Sequence, residues 1–475
     1  MILFFYSPDG WEEWGLPARP LIRDRMPVLI DDDLKFEDDD GTPRPTVAIN
    51  RWLRELPING APAPQSWKTY ARPLKQWCEF LASHGVHVFA DRRELRGVLS
   101  LYAEHRLSGP LDVRLEGSSW NQAVGVLSSF YQWAAAEGYV SGVPFTYARR
   151  SVSRPDGVRV AVSKNLAQVR GVHSAHATRK YLEREYRDLL MNALAGNDPH
   201  GEPDTFRGGE TGRNAAGVGL AFSSGLRAQE FTYLTVYEVP ALPRRRTEVP
   251  VSLVLAPPTA KGGKGRTAWV DYDDLARVHD YITLERAASV DGSQWMPADA
   301  LRVEEPDYDG AHINGTRRRW HTLTPEERAR LVAPGGGSAL LSVQSTGAPF
   351  VDWATVLRRT AARIQERYEP GFPHVHPHMT RHSFAMATLE RLVRGYYQRA
   401  ARLVVDTGAD DAMALYLTKA DPLLVLRDLL GHASVSTTQT YLHLLDTHRI
   451  YREAYEKADP SPEAQAEAAQ EFEGI

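Results

Sequence analysis

The sequence predicts a mainly α-helical chain in two domains: a helical domain, then a mixed α/β domain holding a small antiparallel β-sheet. Three observations predict it. The chain has 475 residues, more than a single hydrophobic core serves. Apolar residues recur at helical spacing through residues 45–148. Strand-like runs, Phe231–Val239, Val249–Leu255 and Thr267–Tyr272, lie within an otherwise helical second half.

Taken in order, residues 1–44 are rich in Pro and Asp with little periodicity, and read as an extension or arm. Asp38-Asp39-Asp40-Gly41 looks like the start of a calcium loop, but no glutamate closes it, so a solvated acidic segment is the simpler reading. Within 45–148, Trp67, Tyr70, Ala71, Leu74, Trp77, Cys78 and Leu81 mark one buried helix face. Pro73 predicts a kink there or a fresh helix start. A later helix starts near Ser119, carries Val124, Leu127, Tyr131 and Ala134 on one stripe, and stops at Gly138 and Pro144. Ser66 and Ser119 are the expected N-caps. Core packing explains the aromatic stripes better than base stacking does.

Residues 149–177 read as a basic linker. The second domain is expected over 178–450, opening with an amphipathic helix (Tyr181, Leu182, Tyr186, Leu189, Leu190) and another over about 212–223. Helix resumes at Asp273, 291–340 is irregular, and 353–457 is mostly helical. Residues 451–475 form a tail, with a helix-forming stretch at Arg452–Lys457 before Pro460 and Pro462.

Composition is that of an ordinary globular protein, 43% hydrophobic and 24% charged. No apolar run approaches the roughly 18–20 residues of a membrane helix, so no membrane partner is expected. The short apolar start does not read as a signal peptide. A single cysteine, Cys78, excludes an internal disulfide framework and fits a reducing cytoplasm. The net charge of −4 is segregated. Acids cluster in 31–40 and in the tail, whereas Arg149, Arg150, Arg154, Arg159, Lys164, Arg170, Arg179 and Lys180 face one acid, Asp156. Such a strap suits a surface that grips a polyanion. Arg149, Arg150, Arg154, Arg159 and Lys164 are therefore candidate DNA contacts.

Four segments carry candidate chemistry. In Ser224-Gly225-Leu226-Arg227-Ala228-Gln229-Glu230, a glycine turn places Arg227 near a helix start, and Glu230 can orient a neighbour or cap amides. In Ala260-Lys261-Gly262-Gly263-Lys264-Gly265-Arg266, a basic hairpin can reach a DNA groove, and Lys261, Lys264 and Arg266 are its cations. The spacing is wrong for a phosphate-binding P-loop. In His374-Val375-His376-Pro377-His378-Met379-Thr380-Arg381-His382, His378 and Arg381 would share a helix face. Pro377 and the lack of cysteine set a metal site aside. In Leu430-Gly431-His432-Ala433 and onward, Tyr441 follows His432 by nine positions (441 − 432).

Arg, Lys, His-x-x-Arg, His and Tyr in this order and with these flanks resemble the tyrosine recombinase (phage integrase) family, over about residues 45–450. The resemblance implies a helical core-binding domain and a mixed catalytic domain that together clamp duplex DNA. It implies that Arg227 and Arg381 hold the scissile phosphate, His378 and His432 assist by hydrogen bonding, Lys261 is the hairpin lysine and Tyr441 the nucleophile. Lys264 is a rival for the lysine role. No cofactor, metal or ATP is implied. The implied partners are attachment-type sites in double-stranded DNA, other copies of the chain in a tetramer joined by tail exchange, and accessory DNA-bending or directionality proteins. The implied location is the cytoplasm, in association with the nucleoid. The intervals from Lys261 to His378 and from Arg381 to His432 exceed the family's pattern, which places insertions at 291–340 and 390–422. Integration or excision of a mobile element is the expected task. The other readings are an inactive DNA-binding protein on the same fold and a type IB topoisomerase.

Overall fold

Proline opens two helices of the first unit and an aspartate caps a third. Helix α1 (Pro45–Glu55) begins on a proline, whose missing N–H costs nothing in the first turn. Helix α2 spans Pro64–Ser83, α3 Arg92–Leu107 and α4 Gly117–Ala136. The Asp91 carboxylate caps α3, accepting from the Arg93 and Glu94 amides at 2.7 and 3.0 Å. Helix α2 runs on through Pro73 and starts ahead of Ser66, and α4 starts ahead of Ser119 with Glu116 as its N-cap residue. Neither serine is a cap. The computed structural model describes residues 1–61, 64–153, 159–169, 181–205, 208–407, 422–430 and 438, and the chain divides into two units, Met1–Ala177 and Thr178–Ile475.

The core of the first unit is aromatic. Trp52, Trp67, Trp77 and Trp120 are fully buried, each worth roughly 4–6 kcal/mol of apolar burial before ordering entropy is counted. Their polar edges are satisfied. Trp77 Nε1 donates to Tyr131 Oη at 2.8 Å, which donates to the Val88 carbonyl at 3.0 Å, and Trp67 Nε1 donates to the Ala61 carbonyl at 2.9 Å. These rings are packing, not a stacking platform for bases. Burial pushes the Cys78 thiol up to about 12, which keeps it protonated.

Residues 1–44 belong to this unit rather than forming an arm. Strands β1 (Ile2–Phe5) and β2 (Pro27–Ile30) pair antiparallel, and Met26 and Leu29 enter the aromatic core. The Asn50 side chain takes both backbone groups of Leu29, at 2.8 and 2.7 Å. Arg44 draws the acidic loop together through Asp33 and Asp38. The expected linker also has structure. Strands β3 (Tyr147–Ser153) and β4 (Arg159–Asn165) form an antiparallel hairpin, and Trp120 and Asn121 of α4 bond the backbone of Ala167 and Val169 just after it.

The second unit is built around α6 (Thr211–Ser224), which is buried along almost its whole length. Helix α5 (Arg184–Leu194) and α8 (Tyr272–Tyr281) pack against it. So tight is the approach that a Cβ on Gly217 would lie 2.2 Å from the Trp353 ring of α9 (Trp353–Arg367). The run Phe231–Val239 is not a strand. It forms helix α7 (Ala228–Thr232) and a tight turn at Val236–Glu238, because Glu230 and Glu238 cap the backbone three residues upstream. Strands β5 (Val251–Leu255) and β6 (Arg266–Val270) are antiparallel, with Leu255 opposite Arg266.

Residues 291–340 are more regular than their composition predicts. Strands β7 (Leu301–Glu304), β8 (Gly310–Ile313), β9 (Thr316–Arg319) and β10 (Leu331–Val332) form a sheet in the order β10-β7-β8-β9. It has its own small core of Val303, Ala311, Ile313, Trp320, Leu323, Leu331 and Ala339. Helix α10 (Pro377–Thr407) enters the second expected insertion, and α11 (Pro422–Leu430) follows it. The interval 408–421, His432, Tyr441 and the tail 451–475 lie outside the described residues. Among the described residues, no helix is long and apolar enough to cross a membrane.

Candidate active site

Helix α6 ends at Gly225, whose left-handed conformation (φ 64°) and close approach to Phe384 both require glycine. A Cβ there would lie 2.3 Å from the Phe384 ring of α10. The turn buries Leu226 and delivers Arg227 as the N-cap residue of α7. Glu230, buried beneath it, accepts from the Arg227 amide through Oε2 at 2.8 Å and from Arg227 Nη1 through Oε1 at 3.0 Å. Arg227 keeps 23% of its side chain exposed.

Lys261 follows β5 in the ten-residue-scale connection to β6, on a tight turn whose Gly262 and Gly263 both have positive φ (76° and 66°). Lys261 and Lys264 are exposed. Arg266 is not. Expected as a DNA contact, it turns inward at the first position of β6, with its side chain 9% exposed, and its Nη1 lies 2.5 Å from Glu230 Oε1. The reason is strand alternation: Arg266 shares a face with buried Ala268 and Val270.

Helix α10 begins at Pro377, which puts His378 in its first turn and Arg381 one turn on. Arg381 is buried; its Nη1 donates to the Gly225 carbonyl at 2.6 Å and its Nη2 to the Leu430 carbonyl at the end of α11. It therefore ties the glycine turn before Arg227 to the residue that precedes Gly431-His432. His378 stacks edge-on with His382, ring centres 4.5 Å apart. Its surroundings hold its pKa below the ordinary histidine value. Partial desolvation is the largest cause, followed by the charges of Arg381, His376, Arg227 and Lys261.

The charges of Arg227, Lys261 and Arg381 all bear on the His378 imidazole, and the Arg381–Gly225 bond joins the Arg227 turn to the start of α10. The charge about His378 is cationic, which suits an anion with a proton to give up. His432 and Tyr441 are outside the described residues. Among the described residues, no group of His, Cys, Asp or Glu is arranged to hold a metal ion.

The candidates of the basic strap belong to the first unit. Arg149 is exposed on β3, and Lys164 is half-buried on β4 opposite Ala148. Arg150 and Arg159 lie in those strands, but their side chains, like all of Arg154, fall outside the description. Sequence reasoning missed the Glu230–Arg266 pair, although the alternation after Gly265 was the available signal.

Comparison with known proteins converges on one family. A profile described as phage integrase, N-terminal SAM-like domain, matches residues 49–138. The tyrosine recombinase XerC of Oceanobacillus iheyensis is 23% identical over 87% of this chain and 95% of that protein. XerC of Nitrobacter winogradskyi is 24% identical over 86% of this chain and 94% of that protein, and the tyrosine recombinase XerD of Corynebacterium glutamicum 24% identical over 87% and 98%. Among solved structures, the XerH site-specific recombinase bound to palindromic difH substrate matches with TM-score 0.46 and 15% identity, over 86% of this chain and 83% of that one.

Proposed function

We propose that the chain, like the tyrosine recombinases it is similar to, cuts and rejoins double-stranded DNA with Tyr441 as nucleophile. The bearing of the Arg227, Lys261 and Arg381 charges on His378 is the observation that carries this reading.

A phenol with pKa near 10 is a weak nucleophile at neutral pH. Neighbouring guanidiniums favour its ionised form and fork onto the non-bridging phosphate oxygens, whose charge grows in the transition state. His378, kept neutral by burial and by cationic neighbours, is able to accept the phenol proton. Phenol oxygen bonds to phosphorus as the bond to the sugar 5′-oxygen breaks, and Lys261 gives that oxygen a proton. His432 donates to the phosphate. The products are a 3′-phosphotyrosine and a free 5′-hydroxyl. Because the tyrosine ester conserves the bond energy, a partner strand's 5′-hydroxyl reverses the step and reseals the DNA without ATP.

The proposed task is integration or excision of a mobile element. The extra β7–β10 sheet and the long interval between Arg381 and His432 support an element-specific enzyme. The relatives' own names do not reach this far, and repeats flanking the reading frame test it.

Incubation with a pool of nicked duplexes bearing a randomised arm tests the chemistry. Wild-type protein is expected to form denaturant-resistant adducts on a subset of the pool, and Tyr441→Phe none. Binding without adducts sinks the proposal in favour of a DNA-binding protein.

A further inference from the structure

We propose that Arg266 is a positioning residue for Arg227, acting through the Glu230 carboxylate; this rests on the recombinase reading of the same site. Three elements meet at Glu230. Its Oε1 accepts from Arg266 Nη1 at 2.5 Å and from Arg227 Nη1 at 3.0 Å, while Oε2 accepts from the Arg227 amide at 2.8 Å. A single oxygen therefore bridges two guanidiniums that would otherwise repel each other. Arg266 also donates from Nη2 to the Gly225 carbonyl at 3.4 Å, the same oxygen that Arg381 Nη1 reaches at 2.6 Å. Arg266 thus touches both supports of the phosphate clamp from the strand that closes the Lys261 hairpin.

The division of labour follows from burial. Glu230 is fully buried and Arg266 is 9% exposed, whereas Arg227 is 23% exposed. Burial alone pushes the Glu230 carboxyl up; the hydrogen bond and charge of Arg266, then those of Arg227, reverse this and hold it below its ordinary range. Arg227 from α7 and Arg266 from β6 are the charged groups that reach Glu230 among the described residues. Arg266 keeps the carboxylate ionised and fixed, which leaves the rest of the Arg227 fork to the phosphate.

The experiment uses the full chain and the nicked duplex that wild-type protein captures from the randomised pool. Arg266→Gln is expected to slow adduct formation at saturating DNA by about 100-fold, the scale of a 1 Å misplacement, with little change in DNA affinity. Glu230 would lose its main counter-charge, so its carboxyl would titrate upward and a new acid limb would enter the cleavage pH profile. Glu230→Gln with Arg266→Gln should lack that limb and be no slower than Glu230→Gln alone, because both residues act through one contact. Multiplying losses, or an unchanged pH profile in Arg266→Gln, overturn the proposal. Should Arg266→Gln fail to fold, the neutral double variant against Glu230→Gln still decides it. A crystal structure of the double and Glu230→Gln variants gives a readout free of turnover: the Arg227 guanidinium should sit alike in both, and a further shift in the double variant overturns the proposal. Tyr441→Phe tests the chemistry separately, so the two ideas fail independently.

Discussion

Glu230 and Glu238 are two buried carboxylates that use the same local device for different ends. Each caps the backbone amide three residues upstream, Arg227 in one case and Thr235 in the other. Beside the β7–β10 sheet, Glu238 takes both ends of the Arg328 fork at 2.6 and 2.9 Å. The remaining Arg328 bonds go to the carbonyls of Tyr233, Trp320 and Leu323, and its side chain is 1% exposed. That arginine is saturated and can only hold structure together. Glu230 instead takes one end of Arg227 and leaves the fork partly exposed, because a second arginine supplies the rest of its charge. An arginine whose donors end on protein is scaffold; one whose carboxylate is already satisfied by a neighbour can meet a substrate.

Arg328→Met attacks the scaffold side of this contrast. It strands a buried Glu238 charge and should cost about 3–5 kcal/mol in urea unfolding. Arg227→Ala attacks the other side, slowing adduct formation by about 10²–10³-fold with a melting point near wild type. If Arg227→Ala melted as early as Arg328→Met, the contrast would be lost. Gly225→Ala should do some of both, since φ is 64° there and the new Cβ meets Phe384. A loss of about 1–3 kcal/mol, with slower cleavage, is expected from calorimetry and adduct assays.

The pH profile sharpens the site further. Because the His378 pKa is lowered, its proton-accepting form persists on acidification beyond the ordinary histidine range near 6.5. Cleavage should fall only below that range, and a limb at or above it in the wild type contradicts the assignment. The smallest effect belongs to exposed Lys264: Lys264→Ala should weaken binding evenly across DNA sequences and lower the salt dependence by about one counterion, read from a titration at several salt concentrations.

Local pattern determined much of this protein. The Trp67–Leu81 stripe, the helix before Gly225, the Val251–Val270 hairpin and the order of the polar boxes are all short-range signals, and helix or strand periodicity reports them directly. Local pattern also misled. The apolar run from Phe231 looked like a strand until two glutamates capped it into turns, and 291–340 looked irregular because its strands are only two to four residues long. What only the tertiary structure decided is which charges face inward. Arg227, Arg266, Arg328 and Arg381 look alike in a sequence. Their exposure, and hence their use, depends on whether the acceptors that satisfy them come from near in the chain or far, as the Glu238 carboxylate does for Arg328 and the Gly225 carbonyl for Arg381. Burying a charge is costly unless its partners arrive with it, and those partners assemble only when the chain folds.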